Sequence, residues 1–381
     1  MLRKYKILSN HFFHIALGMA LLSALFITST LSSGDDDLQY FKFAQTIVLT
    51  HHIDWSIPGF HGSDFFVALL FAITHSTVSV QLINIFCAIL IIPVLYCAVT
   101  NLFKDKTLGL FAIYAYLLMP ITYTSALRGF NFTPMIFFSL LGIWLLTIKS
   151  RFSFLIGIAY IIKPFSIAWA PLFLYQKKIK QFLFSLIFPI IYIIAEYTQT
   201  HHIIIGVHKD YTIHSLFSVN RFLFNIVYGI QNYFSVHGFS PINHAYLDDM
   251  PHITPLITLF AGYGVIYYKK IYKNDLGLFV TLFSCALIAY IIPISFYHFD
   301  YWYLTIFNFS LVFLALRPIQ LHTELVPAIS GLSFFEFYYT LIAHPQYFPS
   351  ILSKFFLFSI WFAIVITSIL YVYSQQSKSN N

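Results

Sequence analysis

Apolar runs of about 20 residues recur along the whole sequence, and they constrain the fold more than any other feature. A helix needs about 20 apolar residues to cross roughly 30 Å of hydrocarbon, where lipid offers its backbone no hydrogen-bond partners. The chain has 381 residues, 59% hydrophobic and 9% charged, whereas soluble proteins have about 25% charged residues. This composition excludes a soluble globular protein and predicts an all-α, polytopic membrane protein.

The apolar runs predict about twelve transmembrane helices. They lie near residues 10–31, 80–100, 107–127, 134–149, 152–163, 164–176, 181–199, 253–268, 276–294, 302–316, 325–343 and 351–373. The first run is long, lacks a convincing signal-peptide cleavage site and leads into further spans, so we expect it to be a retained helix. We expect a single transmembrane domain over residues 1–381, with no soluble domain.

The basic residues are distributed in a way that predicts the orientation of the chain. The net charge is +7, and most of the 21 Lys and Arg residues fall in alternate loops. The positive-inside rule then places both termini in the cytoplasm. A charge spread over loops in this way does not indicate a nucleic-acid partner. The acidic segment SSGDDDLQY (32–40) would face the extracytoplasmic side.

The first external stretch, residues 32–79, contains two amphipathic pieces near 37–50 and 63–75. Both are too short or too polar to span a bilayer, and we expect them to lie at the membrane interface. Two further external stretches, near 200–252 and 295–303, are rich in His, Tyr or other aromatic residues. The chemistry of this chain is therefore expected at the outer membrane surface.

Three consecutive carboxylates, Asp35, Asp36 and Asp37, follow the first span. If a helix begins at Asp36, then Asp36, Tyr40 and Ala44 lie on one face. We expect mutual repulsion near lipid to raise the pKa of one of these carboxylates, and a general base or a cation site could use that property. An acidic helix start that is solvated and stabilised by the helix dipole is the alternative.

Two cations stand out on the same predicted side. Lys163 precedes Pro164 in an apolar stretch, and a lysine at the centre of a span costs about 2.5–3.5 kcal/mol, which makes it a candidate functional residue. Snorkelling to the interface is the alternative. Arg128 lies in an external turn beside Gly129 and could grip phosphate oxygens through its guanidinium fork, or could anchor the interface.

Histidines and tyrosines of the external stretches are further candidates. His61 and the other external histidines could be bases, metal ligands or substrate contacts; the adjacent pairs at 51–52 and 201–202 match no helical metal motif, so we predict no metal site. Tyr303 could stack against a sugar or a polyprenyl chain, although an aromatic belt explains it equally well. Cys87, Cys97 and Cys285 lie in apolar segments, which is typical of buried small hydrophobic residues and not of disulfides.

The segment GDDDLQYFKFA (34–44) resembles the first external loop of membrane glycosyltransferases with the GT-C fold. It particularly resembles relatives of protein O-mannosyltransferases and of the lipid A aminoarabinose transferase. Members carry either Asp-Glu-x-x-Tyr-x-x-x-Ala or an Asp-Asp pair one residue earlier. Both alignments of the motif with this sequence include Asp36. FDYWYLTIF (299–307) is weakly similar to a late Arg-Tyr-Leu motif of the family.

The resemblance continues in order over roughly residues 10–180. The matching segments are HHIDWSIPGFHGSDFFVALLF (51–71), LINIFCAILIIPVLYCAVTNLFKDKTLGLFAIYAYLLMP (82–120), SALRGFNFTPMIFFSLLGIWLL (125–146) and GIAYIIKPFSIAWAPLFLY (157–175). Three departures are plain: Thr133 stands where many relatives have Asp, His61-Gly62-Ser63 replaces a Lys-Pro-Pro type sequence, and Asp300 occupies the vicinity of the late Arg.

The resemblance implies an inverting glycosyltransferase of the inner (plasma) membrane. Residues 1–180 would be the GT-C-like catalytic part and residues 181–381 a variable transmembrane part. The donor would be a polyprenyl-phosphate-linked sugar and the acceptor a lipid, polysaccharide or protein. Asp36, with Asp35 and Asp37 beside it, would supply the base. The predicted substrate-binding residues are Lys163, Arg128, Tyr40, His61 and Tyr303.

No cofactor is required by this reaction, although a divalent metal is compatible with it. The alternative function is a multi-pass transporter or lipid flippase, because many helices and scattered intramembrane charges also suit transport. Transporters often have two similar halves with broken helices at matching positions. The sequence has no such pairing, and its polar residues concentrate on one predicted side of the membrane.

Overall fold

The structure, a computed structural model, describes residues 11–31, 35–55, 61–119, 121–201, 220, 222–226, 255–295, 305–328, 330–331 and 348–379. Within these ranges the chain is helical, with turns and short 3-10 segments between helices and no β-strand. The all-α prediction is confirmed for this part of the chain.

The helices of the N-terminal half begin with a span and two shorter external-loop helices. They are α1 (His11–Thr28), α2 (Asp35–Thr50), α3 (Asp64–Thr74), α4 (Ser79–Phe103), α5 (Lys106–Leu117), α6 (Ile121–Arg128), α7 (Phe132–Thr147), α8 (Ile156–Ile162), α9 (Ala170–Tyr175), α10 (Ile179–Ser185) and α11 (Ile187–Thr200). The 3-10 segments Arg151–Leu155 and Pro164–Trp169 precede α8 and α9.

The C-terminal half adds the helices that close the bundle. They are α12 (Pro255–Ile266), α13 (Tyr268–Ile271), α14 (Leu276–Ile294), α15 (Thr305–Leu321) and α16 (Ile351–Ser379). A 3-10 turn at Thr323–Leu325 follows α15. Aspartates cap two of the helix starts: Asp105 accepts backbone N–H groups at the start of α5, and Asp275 does so at the start of α14.

The predicted count of about twelve spans is not confirmed. Among the described residues, five helices are long and apolar enough to cross a membrane: His11–Thr28, Ser79–Phe103, Ile179–Thr200, Leu276–Ile294 and Ile351–Tyr373. Other apolar helices, including Arg151–Ile162 and Pro164–Tyr175, are 10–17 residues long. At about 1.5 Å per residue they cover at most about 26 Å, which is less than the hydrocarbon core.

One apolar core runs through both halves of the chain. Helix α4 packs against α5 and α7, and α15 packs against α12 and α14. Helix α1 packs against α16, and the Ser350 hydroxyl donates to the Thr28 carbonyl oxygen at 3.3 Å. Because the end of α1 meets the start of α16, the two helices run in opposite directions.

The two amphipathic pieces of the first loop form helices α2 and α3, which pack against each other. Their contact is apolar: Phe41 and Ala44 meet Val67 and Phe71, and the rings of Phe41 and Phe71 make an edge contact with centroids 5.1 Å apart. Helix α3 continues into α4 through a short turn. The α2–α3 pair thus holds the first loop against the bundle.

Candidate active site

Lys163 joins two short helical segments, Arg151–Ile162 and Pro164–Tyr175, whose far ends both contact α10. The two segments are called the lysine hairpin below. The backbone of Lys163 is extended, with φ −152° and ψ 125°, as expected for a residue before proline. Its N–H donates to the Ala159 carbonyl, and its own carbonyl accepts the Ser166 hydroxyl at 2.8 Å. The side chain is 2% exposed, and its Nζ lies 5.2 Å from the centroid of the Phe132 ring. The ammonium is held inside the protein and does not snorkel.

Asp64, the first residue of α3, is fully buried. Its Oδ2 lies 2.7 Å from Nδ1 of His61, and its Oδ1 accepts the Ser63 hydroxyl at 3.1 Å. Burial raises the pKa of the Asp64 carboxyl above its ordinary 3.8, and this outweighs the lowering by His61, Ser63 and Lys163. A carboxylate with a raised pKa is a stronger base than an exposed one.

Gly62 brings the Asp64 turn against the lysine hairpin. A Cβ on Gly62 would lie 2.4 Å from the carbonyl carbon of Ile161 and 2.5 Å from the backbone nitrogen of Ile162. These are backbone atoms that cannot swing aside, so only glycine fits here. The close approach joins positions about a hundred residues apart and places Asp64 within electrostatic reach of Lys163.

His61 is fixed by contacts to two other helices. Its ring stacks on Phe43 of α2, with centroids 3.8 Å apart and an angle of 3° between the planes. Its backbone N–H donates to the Tyr192 phenol oxygen of α11 at 3.1 Å. When Asp64 is ionised its carboxylate can only accept, and a neutral His61 then has its proton on Nδ1. His61, Asp64 and Lys163 are called the charged cluster below.

Glu196 is a further buried carboxylate, one turn from the tyrosine that contacts His61. Tyr192 and Glu196, one turn apart, are the buried residues of α11, whose other side chains are largely exposed. Both Glu196 and Asp64 act electrostatically on the Tyr192 phenol. A buried acid in an otherwise apolar span marks a candidate functional position.

Arg128 ends α6 beside a turn in which Gly129 has φ 78°. Its guanidinium carbon lies 4.6 Å from the centroid of the Phe130 ring. Two residues further on, Phe132 lies under the Lys163 ammonium. The segment 130–132 therefore contacts both cations that the sequence singled out.

A small cavity adjoins Phe132. Its lining combines apolar side chains with hydroxyl groups, and Ser125 and Thr133 hydrogen-bond to each other at 3.0 Å on its wall. Tyr116 and Thr305 also line it, from α5 and α15. Thr133, which stands where relatives of the resembled family often have Asp, is thus a neutral member of a polar wall.

The acidic triplet is only partly described. The backbones of Asp35, Asp36 and Asp37 form the first turn of α2, and their side chains lie outside the described part of the structure. Asp36 precedes Tyr40 and Phe43 by four and seven positions in that helix. Tyr40 is buried, and Tyr303 lies outside the described residues.

Sequence reasoning missed Asp64 and Glu196. Asp64 directly precedes the apolar run FFVALLF, and His61 stands three positions before it, a spacing at which the two side chains can meet. Glu196 is an isolated acid in an apolar span. In the described ranges, no group of three or more His, Cys, Asp or Glu side chains is placed to hold a metal ion.

Comparison with known proteins gives a match among solved structures but none by sequence. No protein-family model matches the sequence, and no curated protein matches it. Among solved structures, the chain aligns with the oligosaccharyltransferase of Archaeoglobus fulgidus in its apo form, with 12% identity and a TM-score of 0.48. The alignment covers 96% of this chain and 56% of that one, so the chain spans little more than half the length of that enzyme.

Proposed function

We propose that this chain is an inverting membrane glycosyltransferase of the GT-C type. It moves a monosaccharide from a polyprenyl-phosphate donor to a lipid, glycan or protein acceptor. The reaction takes place on the extracytoplasmic face of the inner membrane, with both termini in the cytoplasm. The proposal is supported by the sequence resemblance of residues 10–180 and by the charged cluster.

The observation that carries the proposal is the meeting of two distant segments that each resemble the family. Gly62, from the 51–71 segment, packs on the backbone of Ile161 and Ile162, from the 157–175 segment. The contact brings the buried Asp64 carboxylate within electrostatic reach of the buried Lys163 ammonium. Charges are costly in such a place unless they are paired or used.

The reaction needs a general base for the acceptor hydroxyl and cationic side chains that bind the phosphate of the donor. The acceptor hydroxyl attacks C1 of the sugar from the side opposite the phosphate and forms the new C–O bond as the bond to the phosphate breaks. Polyprenyl phosphate leaves as a stable anion, so a strong general acid is unnecessary. The base removes the hydroxyl proton, and the single displacement inverts the anomeric centre.

In this proposal Asp36 is the base, with Asp35 and Asp37 beside it. Lys163 and Arg128 hold the phosphate, and the guanidinium can do so through two parallel hydrogen bonds. Tyr40 and Tyr303 contact the substrate. A divalent cation is compatible with this chemistry, but no step above requires one.

Comparative mass analysis of glycolipids and glycoproteins from cells with and without the gene identifies sugar and acceptor. We expect one glycan class to lose a single sugar when the gene is deleted. An Asp36→Asn variant, restored to the deletion strain, is expected to be inserted normally but not to restore the sugar, because an amide cannot take up the proton. Full restoration by Asp36→Asn would remove Asp36 as the base, and an unchanged glycan profile on deletion would contradict the function.

A further inference from the structure

The charged cluster poses an electrostatic problem for any anion that binds at Lys163. Asp64 lies within electrostatic reach of Lys163, and both side chains are buried. A phosphate that approaches the ammonium therefore also approaches a carboxylate. Repulsion between anions is several times stronger in a low-dielectric site than in water. Tight binding of a phosphate there requires that the charge on Asp64 be offset.

The His61–Asp64 pair has the geometry to offset that charge. The Nδ1 and Oδ2 atoms are 2.7 Å apart, and Gly62 and the Phe43 ring hold the turn in place. A carboxylate and an imidazole at this distance can hold one proton between them. With a neutral imidazole and an ionised carboxylate the pair has one negative charge, and with one more proton it has none.

The polar groups around the pair in the described part of the chain come from three elements. His61 and Ser63 belong to the same turn as Asp64, Lys163 comes from the end of α8, and Tyr192 and Glu196 come from α11. Helix α2 presents the apolar Phe43 ring. Burial already favours the protonated form of Asp64. A bound phosphate would add negative charge and favour protonation further.

We propose that the His61–Asp64 pair takes up one proton from solvent when a phosphate anion binds at Lys163, an inference that rests on the proposed function for its ligand. The proton goes onto the pair and offsets one negative charge of the phosphate. It returns to solvent when the polyprenyl phosphate product leaves. His61 and Asp64 act here as positioning residues, because they set the charge around Lys163 and form no bond to the sugar.

Isothermal titration calorimetry tests this on the purified full chain in detergent. Farnesyl phosphate is the probe, and farnesol is the matched ligand without the phosphate. Each titration is run in two buffers of different ionisation enthalpy from about pH 6 to about pH 8.5, a range that begins near the second phosphate pKa of about 6. The difference between buffers counts the protons taken up on binding.

We expect wild-type protein to take up more protons than Asp64→Asn, with the difference approaching one proton at its maximum. By linkage, the affinity of the wild type for farnesyl phosphate then falls, relative to the variant, by up to about tenfold for each unit by which the pH rises. Glu324→Gln removes an exposed carboxyl that hydrogen-bonds His322, and this control should match the wild type. His61→Gln keeps the carboxylate but removes the shared proton, and its uptake should also be reduced.

The titrations distinguish a failure of proton uptake by the His61–Asp64 pair from a failure of phosphate binding itself. Equal proton uptake by the wild type and Asp64→Asn over the whole range would overturn the role of the pair and leave phosphate binding intact. If Asp64→Asn does not fold, wild-type uptake no greater than that of His61→Gln would overturn it. Farnesyl phosphate that binds no tighter than farnesol would overturn both the inference and the proposed phosphate site.

Discussion

At the residue scale, Gly62 decides whether the first loop can reach the lysine hairpin. Its α-carbon faces backbone atoms of Ile161 and Ile162 at a distance that leaves no room for a methyl group. Backbone cannot rotate away as a side chain can, so a larger residue must push the two segments apart. The position of Asp64 relative to Lys163 therefore depends on the absence of a single carbon atom.

Gly62→Ala is expected to lower the free energy of unfolding by about 1–3 kcal/mol, the usual cost of overpacking. Sugar transfer should fall at least about tenfold, because a separation of 1 Å at a reacting site can cost a hundredfold. Thermal unfolding in detergent and a transfer assay measure the two effects. Gly262→Ala is the matched control: a Cβ there meets nothing within 4 Å, and alanine favours a helix. If Gly62→Ala changed stability and sugar transfer no more than Gly262→Ala does, the close contact of Gly62 with Ile161 and Ile162 would be refuted.

Lys163→Ala is expected to raise the donor KM by roughly 10- to 150-fold, since a hydrogen bond to a charged group contributes about 1.5–3 kcal/mol. Lys163→Arg keeps the charge and should recover part of the affinity. Lys180→Ala removes an exposed lysine of α10 and should leave the donor KM unchanged. Steady-state kinetics with varied donor would remove Lys163 from the phosphate site if folded Lys163→Ala kept the wild-type KM.

Part of this site follows from sequence and part does not. Lys163 stands out because a cation in an apolar stretch is costly. Pro164 predicts that the helix before Lys163 ends there. Asp64 does not stand out, because an acid at the first position of a helix is ordinary. Its proximity to Lys163 depends on a contact between segments about a hundred residues apart, and no local pattern encodes that contact.

At the scale of elements, the lysine hairpin is the main departure from the predicted helices. The runs at 152–163 and 164–176 predict two spans, but they form two arms too short to cross the hydrocarbon. Hydropathy measures how apolar a segment is and not how far it extends through the membrane. Two short apolar arms therefore have the same hydropathy signal as two spans. The longer runs predict α4 and α14 correctly as helices, because about 20 consecutive apolar residues fit one continuous helix that can span the membrane.

The base of the hairpin is tied to α14 through Asp275. This carboxylate accepts the Leu278 N–H at the helix start and the Tyr175 hydroxyl at 2.9 Å. Asp275→Ala should cost about 1–2 kcal/mol for the cap and about 1 kcal/mol for the tyrosine bond. Tyr175→Phe should cost only the second amount. Thermal unfolding of the single and double variants measures the coupling, and strictly additive losses would show that the two groups do not interact.

At the scale of the whole molecule, the contact between α1 and α16 fixes the relative direction of the first and last described helices. Helices α1 and α16 pack against each other in opposite directions, and the Ser350–Thr28 hydrogen bond joins the end of one to the start of the other. The start of α1 and the end of α16 therefore lie on the same side of the bundle. Together with the distribution of basic loops, this arrangement favours termini in the cytoplasm and the first loop outside.

Cysteine labelling of sealed right-side-out vesicles tests this orientation. After replacement of Cys87, Cys97 and Cys285, single cysteines are introduced as Thr50→Cys and Lys180→Cys, both at exposed positions. A membrane-impermeant maleimide should label Thr50→Cys in intact vesicles and Lys180→Cys only after permeabilisation. The reverse pattern would place the acidic triplet in the cytoplasm and contradict an extracytoplasmic reaction.

The claim that the chain transfers a sugar, and does not move a lipid, is tested most directly with a doubly labelled donor. Wild-type protein is reconstituted with a polyprenyl-phosphate sugar labelled differently in the sugar and in the lipid, together with the acceptor identified by mass analysis. We predict that labelled sugar appears on the acceptor and free polyprenyl phosphate appears in equal amount, and that Lys163→Ala slows both. A donor that changes leaflet with its sugar still attached would contradict the account and indicate a flippase.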